Sequence, residues 1–391
     1  MPYCKAGDQW SPLHRQNLTI SDKRTKTMKN TFGNNLHITL GGESHGDSLF
    51  AVLDGLRPGT VVDESYIASR LTLRRPSGNI STPRKEADEF KIISGVYEGK
   101  ATGTPLCILI PNTAKKSADY DETRYLPRPS HADYSAFLKY GGYQDHRGGG
   151  HFSGRVTAAL VAAGAIAQLA LENEGIKIGT HIKNIGPVTD RGFEDLENDI
   201  AYLSDKTFPV LSEESGESMI NEIEKARTDL DSIGGTLETA VIGIKGGYGE
   251  PWFDTCEGML SHALFSIPGV KAVGFGIGEG FGNMRGSEAN DAFTYENGKI
   301  VTKTNNNGGI NGGITNGMPI TFTVTVKPTP SIAKEQSTVD LKNCENKTLS
   351  VHGRHDPCIV HRAASVVNAV TALTLLDLIY TRDGNAPKGN I

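Results

Sequence analysis

The chain has 391 residues and a formal net charge of −5, with 22% charged and 37% hydrophobic residues, the profile of a globular protein. A net negative chain has no general affinity for nucleic acid or an anionic membrane surface, so any basic cluster in it marks a local site. Five cysteines with no short paired spacing exclude a disulfide framework and a zinc knuckle and fit a reducing cytoplasm, and no apolar run is read as approaching the ~20 residues of a membrane span.

Residues 1–27 mix basic, hydroxyl and amide side chains without an apolar core, as in a flexible leader or an appended remnant. "LHITLGG" and "SLFAVLDG" predict two strands around a turn, and "DESYIASRLTLRR" a helix that delivers an arginine pair. "RRPSGNISTPRKEAD" follows at residues 74–88, with four basic side chains and no apolar period. "TPLCILIPNT" predicts a buried strand. "GGGHFSGRVTAALVAAGAIAQLALENEG" is a polyglycine loop that opens an Ala-rich helix over Thr157–Glu174.

In the middle of the chain "DSIGGTLETAVIGIKGGYGEPWFD" and "SIPGVKAVGFGIG" each predict a turn into a strand. "TNNNGGINGGITNGMP" is a polar glycine loop before the strand "ITFTVTVKPTPS". A second unit, "VHGRHDPCIVHRAASVVNAVTALTLLDLIYTR", repeats the earlier plan of a His/Arg loop followed by an apolar helix, here to about Tyr380. Both helices are apolar over most of their circumference, so they belong in the centre with sheet outside them. The expected fold is α+β with α/β-like alternation: a four-layer sheet–helix–helix–sheet sandwich with long Gly-rich loops. One catalytic domain is expected over 28–381 and a tail over 382–391. The two basic loops then meet at helix amino ends, where free amides favour an anion.

Glycine is abundant, 46 residues against a usual ~7%, but no run has the spacing of a dinucleotide fingerprint or a phosphate-binding loop, so a nucleotide kinase is disfavoured. Three histidines stand in suggestive settings. His45, in "GGESHGD", lies beside Glu43 and Asp47, which favour its charged form, although a lone histidine at a turn is commonly inert. His131, in "LPRPSHADY", shares a proline-stiffened loop with Arg128, which suits one anion or a purely structural loop. In "GRHDPC", Arg354 and Asp356 flank His355 and are open to reading as a surface ion pair. No HExxH-like spacing joins the histidines, so no metal is expected.

From about Met28 to Tyr380 the chain resembles the chorismate synthases, through "GESHGDSLFAVLDG", "GGGHFSGRVT" leading into "VAAGAIA", and "GRHDPC", with "TGTPLCILIPNT", "PRPSHADY", "DSIGG" and "TNGMPITFTVTVKPTPS" in family order between them. The resemblance implies loss of phosphate and a ring hydrogen from 5-enolpyruvylshikimate 3-phosphate to give chorismate, with reduced flavin mononucleotide (FMN) as cofactor and no net redox change. NADPH is one source of the reducing electrons in such enzymes and external reduction another. It implies His45 as proton donor to the flavin, His131 as donor to or holder of the departing phosphate, and Asp356 as base for the ring hydrogen. Arg74, Arg84, Arg128 and Arg155 would hold substrate anions. His151, Phe152, Ser153, Gly312, Lys327, Thr329, Ser331 and Arg354 would hold the flavin. A cytoplasmic homotetramer is implied, with neither nucleic acid nor membrane as partner. The chain departs from the family pattern at Asn79, where an arginine is usual, at His151, Phe152, Gly154 and Val156 around the flavin edge, at His361 in place of proline, and at Asn368 in place of glutamate.

Overall fold

The computed structural model describes residues 29–76, 80–81, 87–113, 124–351 and 356–384. The expected leader, Asn79, Arg84 and Arg354 lie outside them.

Five strands, β1 (Thr31–Phe32), β2 (His37–Gly42), β3 (Ser48–Asp54), β4 (Lys91–Ser94) and β5 (Leu106–Pro111), form one antiparallel sheet in the order β1-β2-β3-β5-β4. Their side chains alternate as a one-sided sheet requires: Leu49, Ala51 and Leu53 of β3 and Leu106, Ile108 and Ile110 of β5 are buried, with more exposed residues between. A second antiparallel sheet contains β6 (Lys177–Ile185), β7 (Val188–Thr189), β8 (Gly235–Ile242), β9 (Val270–Phe275) and β10 (Ile320–Val326), in the order β9-β10-β8-β6-β7. In β10, Ile320, Phe322, Val324 and Val326 point inward and three threonines alternate with them.

The helices are α1 (Glu64–Arg74), α2 (Asp133–Tyr140), α3 (Thr157–Glu172), α4 (Leu196–Leu203), α5 (Glu213–Thr228), α6 (Cys256–Leu264) and α7 (Val360–Asp383). Asp63 starts α1 by accepting from the Ser65 and Tyr66 amides. Helix α3 packs on β3 and β5, α7 packs on β6 and β8, and the two helices pack on each other. Their contact is close because position 164 has no side chain: a Cβ there would fall 2.4 Å from Ala369 Cβ. Helix α7 is also tied to the first sheet by Asp377, fully buried, whose carboxylate accepts from the amides of Asn34, Asn35 and Leu36 in the β1–β2 turn. It is tied to the second by Asn368, which accepts from Thr180 Oγ1 at 2.6 Å.

Three details correct or sharpen the expectations. Gly154–Glu172 and Val360–Asp383 are long and apolar enough by length and composition to cross a membrane, contrary to the sequence reading. They are 83% and 94% buried inside this fold, which is where their apolar surface goes. Helix α7 runs to Asp383, two residues into the expected tail. Among the described residues Cys107, Cys256 and Cys358 are free thiols.

Candidate active site

At one end of the two central helices a cleft of about 1140 Å³ opens between the sheets. It gathers His45, His131 and Asp356, the arginines Arg74, Arg128 and Arg155, and His151, Phe152, Ser153, Lys327, Thr329 and Ser331. Among the described residues seven Lys and Arg line it against two Asp. Gly312 is not in the lining; it sits at the tip of a small hairpin, Ile310–Asn311 with Ile314–Thr315.

The polyglycine loop organises one wall. Gly148, Gly149 and Gly150 all have positive φ, and a Cβ at Gly148 would come within 2.4 Å of His45 Cε1 while one at Gly149 would meet His131 Cε1 at 3.2 Å. The run is glycine because two histidine rings close on its backbone. The loop docks on the first sheet through Ser44 N–H to Gly150 O at 3.0 Å and His151 Nδ1–H to Gly42 O at 2.8 Å. The His151 side chain is therefore a loop anchor. Ser153 Oγ accepts from Arg155 N–H and opens the turn into α3.

His131 is held by a residue that sequence reasoning missed. Asp133, in the first turn of α2, receives Arg128 Nε at 2.8 Å and Nη2 at 2.9 Å, and receives His131 Nδ1–H at 2.7 Å. Burial opposes ionisation of Asp133, but the hydrogen bonds from Arg128 and His131 outweigh it and hold the carboxyl well below its ordinary range. With Nδ1 committed to the carboxylate, Nε2 is the ring atom available for proton work. Arg128 Nη1 also donates to Ser331 Oγ at 3.1 Å, so the loop leans on the segment after β10.

Arg74 and Arg155 form a different arrangement. Both pair with buried Asp88, which has a φ of +52°; Arg74 also donates to Thr157 Oγ1 and Gly154 O, and Arg155 Nε to Asn112 Oδ1 at 3.0 Å. Burial, then the charge of Arg362, pushes Arg74 down to about 9, which leaves it a cation at neutral pH. Much of the Arg74 fork is spent on protein partners, so it acts more as a charged wall than as a hand. Asn112 in turn donates to Glu43 O and Gly46 O, bracing the turn that carries His45.

On the far side, Thr329 Oγ1 donates to Asp356 O at 2.8 Å and Lys327 Nζ to Ser130 O. Partial burial and the neighbouring Lys271 push Lys327 down. Arg362, also missed, pairs its Nη1 with Asp356 Oδ2 at 2.6 Å. Asp88, Asp133 and Arg362 escaped notice because each reads in the chain as an ordinary surface charge, and only the fold gives it a partner. His361 is buried, with Nε2 2.9 Å from Ser81 Oγ and its ring against Phe208.

The cleft lining is rich in cations and also carries the apolar side chains of Phe152, Ile267, Pro268 and Val366. That combination fits a planar heterocycle carrying a phosphate alongside a second anionic ligand. Among the described residues no group of three His, Cys, Asp or Glu is disposed to hold a metal ion.

The family model for chorismate synthase matches residues 36–380. The chain is 45% identical over 350 residues to chorismate synthase of Thermococcus gammatolerans, covering 90% of this chain and 97% of that one. It is 44% identical over 361 residues to chorismate synthase of Aeropyrum pernix, covering 92% and 95%. A solved structure described as "Crystal Structure of Chorismate Synthase" superposes with a TM-score of 0.70 at 27% identity, covering 90% of this chain and 93% of that one.

Proposed function

The chain belongs to the chorismate synthase family and is a lyase that converts 5-enolpyruvylshikimate 3-phosphate to chorismate in aromatic amino-acid biosynthesis, and we propose that His45, His131 and Asp356 carry out this reaction in the cationic cleft with reduced FMN. The observation that carries the assignment is the convergence of these three side chains, distant in sequence, on one cleft.

In this reading Arg128 and His131 face the substrate phosphate, with Asp133 fixing the imidazole so that Nε2 meets the departing oxygens. Arg74 and Arg155 supply positive charge to the carboxylates from a wall stiffened by Asp88. Asp356 takes the ring hydrogen, and His45 supplies a proton to the flavin. Lys327, Thr329 and Ser331 would hold the cofactor, with the backbone of His151 and Phe152 and the side chain of Ser153 at its edge; Arg84, Gly312 and Arg354 remain assigned by resemblance. When bound, reduced FMN lends electron density as phosphate leaves and recovers it as the hydrogen leaves. The finer expectations stand as parts of the same proposal: a single domain over 28–381, a four-layer order supported by the packing of α3 and α7 on opposite sheets, a cytoplasmic homotetramer, and NADPH or an external donor as the reductant.

The test is anaerobic turnover of 5-enolpyruvylshikimate 3-phosphate with chemically reduced FMN. Chorismate and phosphate should form in equal amounts, and His131→Ala should slow both by about 10²–10⁴-fold. A folded protein that binds both ligands and releases no phosphate would instead be a non-catalytic binder.

A further inference from the structure

We propose that Arg362 is a positioning residue for the Asp356 carboxylate, which it aims at the ring hydrogen; the inference rests on the role given to Asp356 above. Arg362 lies in the first turn of α7, and Asp356 in the loop that enters the helix. Their 2.6 Å contact joins side chains only 16% and 14% exposed, unlike a solvated surface pair. Arg362 Nε simultaneously donates at 2.9 Å to the backbone oxygen of Arg74, the last residue of α1. One rigid guanidinium thus spans the loop of the base and the end of the helix that supplies the arginine wall. A lysine, with a single ammonium on a flexible stem, cannot hold both partners in one plane.

The carboxylate also lies within the electrostatic reach of Arg74, a second cation that competes for its orientation. The Asp356 backbone is fixed, since Thr329 Oγ1 donates to Asp356 O and Ile233 N–H to Pro357 O; Arg362 acts on the side-chain torsions. Engaging Oδ2 sets the carboxylate plane and hence the direction in which Oδ1 accepts. In the overall 1,4-elimination the ring C–H bond breaks, its proton passes to Asp356, its electron pair forms a new ring double bond, and the existing ring double bond shifts toward the carbon that loses phosphate. The C–O bond to phosphate breaks with its pair leaving on the phosphate oxygen. Arg362 acts on the first of these events through the geometry of Asp356, and as one of seven cations lining the cleft it adds only a small share to substrate attraction.

The experiment compares the FMN-loaded wild type with Arg362→Gln, Arg362→Lys and Asp356→Asn, using substrate with hydrogen or deuterium at the ring position that is lost. Melting temperatures establish folding, and calorimetry of the flavin-free proteins measures substrate affinity. Arg362→Gln should lower kcat about 10- to 100-fold, leave substrate affinity within about threefold of wild type, and enlarge the deuterium effect on kcat. Arg362→Lys should recover part of the rate. An equal loss of kcat with an unchanged deuterium effect, or a loss of affinity with kcat preserved, overturns the proposal. Substantial turnover by Asp356→Asn overturns the reading of Asp356 itself. An inactive Asp356→Asn beside an unaffected Arg362→Gln overturns only the inference about Arg362.

Discussion

The carboxylate of Asp133 serves two cations at once, and its substitution separates geometry from charge. Asp133→Asn should leave the loop in place while losing the Arg128 fork and the fixed tautomer of His131, lowering kcat by about 10²-fold or more as measured by phosphate release. Because Asp133 titrates below its ordinary value when folded, its ionised form stabilises the fold at every pH above the unfolded value of about 3.9. That contribution is lost as pH falls below this point toward the folded value. His361 works in another window. Burial, then the charge of Arg362, pushes it down to about 4, so the unfolded chain takes up a proton below about 6.5 that the folded chain refuses. Stability should therefore fall, by up to about 3 kcal/mol, as pH drops from about 6.5 to about 4. His361→Gln, which can keep the bond to Ser81, should flatten the melting temperature across that interval; parallel curves for the two proteins would refute the assignment. The sequence made His131 and Arg128 visible as a stiff basic loop, but Asp133 reads there as an ordinary surface charge, and the depth of His361 is set by Phe208 and Ser81, far away in the chain.

Between α3 and α7 the competing effects can be weighed at one position. Replacing Gly164 with alanine gains about 1 kcal/mol of helix propensity. The added methyl, however, would lie 2.4 Å from Ala369 Cβ and 2.8 Å from its carbonyl oxygen. Neither helix can retreat, since each is backed by a sheet, and overpacking of this kind costs about 1–3 kcal/mol. Overpacking wins, so Gly164→Ala should lower the urea midpoint, and Ala369→Gly in the same chain should restore part of the loss; two changes that simply add would show that the clash is not the cause. Ala-rich composition and unbroken apolarity made these helices and their central place legible before any coordinates. Alternation did the same for β3, β5 and β10. Which sheet each helix covers was not legible, because nothing local in α3 distinguishes β3 from β8. Gly312 was placed with the cofactor residues by the resemblance, and its position at a hairpin tip outside the cleft lining is set by pairing that no local glycine pattern reveals.

Across the whole molecule the charge distribution opposes the net charge. The chain carries −5 overall, yet seven Lys and Arg and two Asp meet at the cleft, contributed by the end of α1, by β9, by the residue after β10 and by the segments that enter α2, α3 and α7, among others. Such a gathering requires the fold, since Arg74, Arg128, Arg155, Lys271, Lys327 and Arg362 lie far apart in the chain. Apolar side chains in the same lining lower the local dielectric, so the field is screened less there than in bulk water. The substrate, with a phosphate and two carboxylates, should be steered by that field over roughly a Debye length, which shrinks from about 10 Å at 0.1 M salt to about 3 Å at 1 M. Raising ionic strength over this range should therefore raise KM severalfold and slow association, while kcat, which the proposed roles assign to the hydrogen-bonded side chains His131 and Asp356, changes little. Phosphate release measured across a salt series, with an uncharged osmolyte as control, tests this division. A kcat that falls in step with the rise in KM would mean that salt loosens the Asp88 and Asp133 clusters themselves, and the cleft would then owe its charge to ion pairs weaker than their burial implies.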